Sequence, residues 1–391
     1  MTRRNFLSST LIAGFAASFA WSPVARAEEI QVGSHMPLTG SLARSGQSFR
    51  EGMLVAVKMY NDSQTKHQIK VTLIDDETQP AKAVGAVEKL VSDGAIAILG
   101  GYGSNIVGPA SDTSNRLGRV YITAGAVSEE LVQRGNKNFF RINNNAGYLR
   151  GFEGMVEELK AGSVSIVAST REATMLLAKG LEESLAKKNV KVTLHPFDPA
   201  ITDFKPIINK VKLQDKSEII FMSAYENDYV GIIRAAKVLK PGAKLIAGAW
   251  SLAIPKMYQD FPDLMQNVVG TTPLPYPVDM KDAEGQAFVA AFKTMFNKDI
   301  DYAATLSFVK TIVLCEALGR AADAGTLKTG GLAEEVRKTK RASVLGPIVF
   351  NETGDNPNFT LAMGQHRDGK IVLVSPAEQA TGKIAYPGLP W

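Results

Sequence analysis

The chain has 391 residues, 45% of them apolar and 21% charged, with 34 glycines and 18 prolines. That length suits two ordinary domains rather than one, and the balance excludes a disordered chain, a collagen or a coiled coil. The formal charge is +5, with no lysine/arginine cluster interleaved with aromatics, so no nucleic-acid partner is expected.

Residues 1–27 read as a signal peptide. "MTRRNFLSS" carries Arg3 and Arg4, "LIAGFAASFAW" is a short apolar run, and "SPVARA" ends in a small-x-small cleavage site at Ala27. The run is too short to span a bilayer stably. "TRRNFL" resembles a twin-arginine export signal, and an ordinary secretory signal with two basic residues is the alternative. No cysteine lies near the cleavage site, so no lipid anchor is expected there. Removing Arg3, Arg4 and Arg26 lowers the formal charge from +5 to +2.

The mature chain then alternates. "IQVGSHM" predicts a strand, "SGQSFREGMLVAVKMYND" a helix, "IKVTLID" a strand and "PAKAVGAVEKLVSDG" a helix stopped by Gly94. "AIAILG" follows as a strand, "NIVGPASDTSNRLG" as a helix and "VYITA" as a strand. After "FFRINNN" the rhythm restarts at "SVSIVAS" and runs through "VKVTLHP", "EIIFMSA" and "KLIAGA", each separated by a helical stretch. Such alternation builds parallel sheets covered by helices, and two series predict two α/β units. "VVGTTPLPYPVD" breaks the pattern with three prolines. A long helical region is expected from about Ala283 to Lys338, and the tail from Gly346 predicts strands, with a hairpin turn at Asp368–Gly369.

Enzyme signatures are missing. "ILGGYGSNIVG", residues 98–108, places Gly101 and Gly103 like the first two glycines of a dinucleotide fingerprint, but Ile106 takes the third place, and no Gly-Lys-Ser/Thr follows. His35, His67, His195 and His366 stand alone, and one cysteine makes no thiolate cluster. Cys315 sits on an apolar helical stretch and predicts a core residue. "GSLARSG" is not a nucleophile elbow. Asp75 and Asp76 end a strand, where a pair of acids serves a magnesium ion or, more simply, a turn or helix cap. No cofactor is expected, and no nucleophile–base pair is visible, so the chain is not expected to be an enzyme.

What remains is glycine and hydroxyl chemistry at the carboxyl ends of strands, in "MPLTGSLARSG", "GGYGSN" and "TAGAVSEE". In open α/β sheets those ends face the ligand crevice. The Ser104 hydroxyl and the backbone N–H groups of a helix start would seat a compact anion, most simply a carboxylate. The alternative role for Ser104 is a helix N-cap.

At these residues the chain resembles a type I periplasmic binding protein of the branched-chain amino acid, or hydrophobic amino acid and amide, uptake family. "PLTGSLARSGQSFREGMLVAV", "DDETQPAKAVGAVEKLVSDG", "GGYGSNIVGPASD", "TAGAVSEELVQRG", "YAATLSFVKTIVLCEAL" and "DGKIVLVSP" carry the resemblance in order over nearly the whole mature chain. It implies an α/β fold of two lobes joined by three crossovers, each lobe a parallel sheet flanked by helices. Residues 28–146 with 273–356 would form lobe 1, and 147–272 with 357–391 lobe 2. It implies a soluble, unlipidated periplasmic monomer that closes on a small ligand and hands it to the permease and ATPase subunits of an ABC importer. A ligand sensor presenting the same fold to a membrane receptor is the alternative.

The resemblance also implies a set of ligand-binding residues. Ser104 would bind a ligand carboxylate, flanked by Tyr102 and Gly103. "TAGAV" places Ala126 and Val127 where the family has an alanine and a threonine, with Ser128 one residue on. Ser45 belongs to the first strand-end loop. Tyr225 keeps the second-lobe tyrosine, and Ala173 replaces another. The acid that pairs with a ligand ammonium falls near "AGAWS", where this chain has Ala249 and Trp250. An ammonium without a partner costs several kcal/mol. Two readings stay open: an aromatic or branched carboxylate without an amino group, lying on Trp250, Tyr102 and Tyr225, or pairing by another acid such as Glu226, Asp228 or Glu172. Trp250 itself fits either a ligand platform or the core.

Overall fold

The computed structural model describes residues 27–389 together with Met1, so the expected signal peptide lies almost entirely outside the described residues. The chain opens with β1 (Glu28–Met36), α1 (Ala43–Ser63) and β2 (His67–Asp75), the two strands paired parallel from Glu28↔His67 to Met36↔Asp75. Next come α2 (Pro80–Ser92), β3 (Ala97–Leu99), α3 (Ser104–Arg116), β4 (Val120–Thr123), α4 (Glu130–Gln133) and β5 (Phe139–Arg141). The five strands form one parallel sheet in the order β2-β1-β3-β4-β5. β3 and β4 are buried along their whole length, which is why they read as unbroken apolar runs. α2 starts on Pro80, where a missing N–H costs nothing, and buries Ala83, Ala86, Val87 and Leu90 on one side.

The chain leaves this sheet through Ile142–Asn144 and enters α5 (Asn145–Glu158), whose N-cap Asn144 accepts from the Gly147 N–H at 3.1 Å. The second series follows: β6 (Ser163–Ser169), α6 (Glu172–Lys187), β7 (Lys191–Phe197), α7 (Lys205–Lys210), β8 (Ile219–Ser223), α8 (Glu226–Leu239), β9 (Leu245–Gly248), α9 (Pro255–Asp260), α10 (Pro262–Met265) and β10 (Val269–Thr272). The proline-bearing stretch then leads to α11 (Ala283–Phe296), α12 (Tyr302–Asp323) and α13 (Leu332–Arg337), followed by the short pair β11 (Lys340–Arg341) and β12 (Ile348–Val349). Finally β13 (Ala362–Arg367) and β14 (Lys370–Ser375) complete a sheet ordered β14-β13-β10-β9-β8-β6-β7. Strands β6 to β10 are parallel in it, while β13 and β14 form an antiparallel hairpin on β10. The hairpin turns at Asp368–Gly369, both at positive φ (+50° and +79°), the geometry an Asp-Gly pair favours.

The single long helical region expected from Ala283 to Lys338 is three helices. Asn297 closes α11 in the left-handed region at φ +52°, and Gly325 and Gly330 turn the chain after α12 at φ +66° and +86°. α12 packs lengthwise on α1, and 18 of its 22 residues are buried, so it is covered on every side rather than along one stripe. Gly52 permits the close approach of the two helices, since a Cβ there would sit 2.1 Å from the Ala304 carbonyl oxygen. Cys315 lies in this interior, 1% exposed, its thiol pushed well up by burial, as a core residue's would be.

Candidate functional site

The loops after β3, β4 and β5 of the first sheet meet those after β6, β8 and β9 of the second. One small cavity of about 10 Å³ lies between them, lined by Tyr102, Ser104, Gly125, Val127, Asn143, Ala173, Tyr225 and Trp250. That is about the room of a single water and far below the roughly 300–1,000 Å³ of a small-molecule site. The lobes must part, or the aromatics rotate, before a larger ligand enters.

Ser104 is the first residue of α3, and the N-cap position belongs to Gly103 at φ +95°, so Ser104 does not cap its helix. Its Oγ instead accepts from the backbone N–H groups of Val127 and Ser128, both at 3.1 Å. The Gly103 N–H donates to the Gly125 carbonyl at 2.8 Å, tying the same two loops together. Among the described residues the Ser104 hydroxyl hydrogen has no acceptor, which leaves it as a donor on the cavity wall.

Beneath this loop is a buried polar frame. The Thr123 hydroxyl donates to the Gly101 carbonyl at 3.2 Å, and the Lys310 ammonium donates to that of Gly100. Lys310 is fully buried, and desolvation lowers its pKa to about 7. His35 packs under Gly101 and links Asp76 (2.9 Å) to the Tyr121 hydroxyl (2.7 Å). The Asp75–Asp76 pair therefore holds protein groups: Asp76 the histidine, and Asp75 the N–H groups of Leu38, Thr39 and Glu77. Among the described residues, no group of three or more His, Cys, Asp and Glu side chains is placed to hold a metal ion.

The remaining wall is aromatic. Tyr225 stacks on Trp250 with centroids 5.7 Å apart, Tyr102 meets Tyr225 edge-on at 6.1 Å, and Tyr148 packs on Trp250 at 5.5 Å. Trp250 is 3% exposed and lines the cavity, so it serves core and wall together. Arg171 lies 5.4 Å over the Tyr225 ring from outside.

Six of the ten residues expected at the site line the cavity: Tyr102, Ser104, Val127, Ala173, Tyr225 and Trp250. Gly103, Ala126 and Ser128 are buried just behind that wall. Ser45 is placed elsewhere: its hydroxyl donates to Glu226 Oε1 at 2.5 Å and meets the Ser251 hydroxyl at 3.0 Å, bridging α1 to the second sheet's loops. Gly125 and Asn143 were not expected in the wall. Asn143 falls in "NNNAG", just after β5, a stretch that carries no site signal in the sequence.

Among the described residues, no carboxylate lines the cavity. Glu226 is engaged with Ser45, and burial raises its pKa to about 7. Asp228 accepts from the Tyr225 N–H at 3.3 Å, capping α8. Glu172 keeps a buried Oε1 without a hydrogen-bond partner among the described residues, but its side chain is not in the cavity wall.

The family profile described as "Periplasmic binding protein" matches residues 29–370. The chain belongs to the periplasmic binding protein family. Its relatives within the family include proteins named for binding leucine, isoleucine and valine. The leucine-, isoleucine-, valine-, threonine- and alanine-binding protein of Pseudomonas aeruginosa is 24% identical to it, over 93% of this chain and 96% of its own. A leucine-binding protein of Thermotoga maritima superposes with a TM-score of 0.80 at 18% identity, covering 88% of this chain and 98% of that one. An ABC-transporter solute-binding protein of R. palustris, solved with benzoate, gives 0.79 at 18% identity, covering 92% and 96%. The family consists of solute-binding proteins, and the two-lobe α/β fold is theirs.

Proposed function

We propose that this protein is an exported solute-binding protein that closes on a small aromatic or branched carboxylate lacking an amino group and delivers it to an ABC importer. Residues 28–146 with 273–356 and 147–272 with 357–391 form the two closing lobes in this reading. The observation that carries it is the composition of the cavity wall. Ser104 offers a hydroxyl hydrogen on one side, Tyr225 and Trp250 offer flat faces on the other, and among the described residues no wall carboxylate is there to pair an ammonium. A buried ammonium without a counter-charge costs several kcal/mol, whereas a carboxylate meets a hydroxyl donor at a helix start. The acids that could compensate are tied to Ser45 or to the cap of α8, or stand outside the wall.

Calorimetry of the mature protein against leucine, 4-methyl-2-oxopentanoate, 4-methylpentanoate, benzoate and phenylacetate tests this. At least one acid without an amino group is expected to bind about tenfold or more tighter than leucine, the worth of one unpaired buried polar group. Leucine binding more tightly than every such acid would overturn the reading.

A further inference from the structure

Asn143 follows β5, is 1% exposed and stands in the cavity wall. Its Nδ2 donates to the Tyr148 hydroxyl at 3.1 Å, and that hydroxyl meets the hydroxyl of Tyr302. Its Oδ1 is buried and, among the described residues, has no hydrogen-bond partner. Among the described residues the Tyr102 hydroxyl, on a residue of the same wall that is 3% exposed, makes no hydrogen bond of ordinary geometry, with the Ser251 side chain beside it. Buried polar atoms are paired in the great majority of cases, so two orphans on residues of one cavity wall call for a partner, which a ligand entering the cavity can supply.

The chemistry of that partner follows from theirs. Both orphans are neutral, so they suit a neutral group. An amide oxygen only accepts, while a phenol both donates and accepts. Turned end for end, the Asn143 amide would present N–H₂ to the cavity and let its oxygen take the Tyr148 hydroxyl proton. A ligand hydroxyl pairs with either orientation and with Tyr102 as well, whereas an ammonium or a carbonyl pairs with only one. Resting on the carboxylate reading above, we infer that the ligand is a hydroxy-carboxylic acid, its hydroxyl bound by Asn143 with Tyr102, and that these two residues set the preference for it over the parent acid.

The test is calorimetric titration of the mature protein with two sets of probes: benzoate and its three monohydroxy isomers, and 4-methylpentanoate with its 2-hydroxy derivative. At least one hydroxy acid is expected to bind about tenfold or more tighter than its parent, because the parent leaves the two orphans unpaired. The ratio of the two affinities is expected to fall towards one in Asn143→Leu, and to fall partly in Tyr102→Phe, which keeps the ring. Parents that bind as tightly as every hydroxy acid would overturn this inference while leaving the carboxylate reading intact, and so would variants that keep the full ratio. Failure of parents and hydroxy acids alike to bind would overturn both.

Discussion

At the scale of single residues, Ser104 does two jobs with one hydroxyl. It accepts two backbone N–H groups from the loop after β4, and it keeps a hydrogen for the cavity. Ser104→Ala therefore strands two buried N–H groups, costing about 1–3 kcal/mol each. It also removes a charge-assisted hydrogen bond to a bound carboxylate, worth about 1.5–3 kcal/mol, or on the order of tenfold or more in affinity. Thermal melts are expected to show the first loss without ligand. Calorimetry is expected to show the second, with the amide of the ligand losing less than the acid. An unchanged affinity for the acid would remove Ser104 from the site. The serine was legible because its signal is local: a glycine turn between a buried strand and a helix. Asn143 was not, because its orphaned oxygen exists only once Tyr148, five residues on, has taken the other end of the amide. Ser45 shows the opposite failure, since its place in a strand-end loop gave no sign that its hydroxyl reaches across to Glu226.

At the scale of elements, the alternation of strand and helix was readable because buried parallel strands leave unbroken apolar runs and their helices leave a one-sided pattern. The region after Ala283 was harder for a physical reason. α12 is buried all round, so its composition carries no period that locates its ends, and the breaks at Asn297 and Gly325 show only in backbone conformation. That burial places a demand on α1. Gly52 brings α1 against the Ala304 carbonyl, where a Cβ would lie 2.1 Å from the oxygen, far inside contact distance. Gly52→Ala must push the two helices apart along their line of contact. Overpacking of this kind costs about 1–3 kcal/mol or more, against a gain of roughly 0.5–1 kcal/mol from replacing glycine within a helix. Urea denaturation is expected to show net destabilisation. A more stable Gly52→Ala variant would mean that α1 and α12 do not pack as closely as described.

At the scale of the whole molecule, polar bridges join α1 to the loops and helices of the second sheet, and one of them titrates. Ser45 on α1 donates to Glu226 at the start of α8, and Arg44 pairs with Asp260 beside it. Burial raises the Glu226 carboxyl to about 7, against the lowering effects of the Ser45 hydrogen bond and Arg44, while Asp301 raises it further. Parting the lobes would return Glu226 to water and to the usual carboxylate range near 4.3. In the closing motion proposed above, the closed form therefore holds a proton that the open form releases. Between about pH 4.5 and 7 closure takes up that proton, so rising pH weakens closure across this window, and above it both forms are ionised and the cost stays constant. Because a ligand that needs closure inherits this linkage, wild-type affinity is expected to fall on the order of tenfold between pH 5.5 and 7.5, with little further change to pH 8.5. Glu226→Gln keeps an acceptor for Ser45 and cannot ionise, so its affinity is expected to stay flat across the same range and to exceed wild type at pH 7.5. Small-angle scattering of the saturated protein at each pH would report closure directly as a smaller radius of gyration. A wild-type affinity that ignores pH in this window would sever Glu226 from closure, and so would a Gln variant with the wild-type slope.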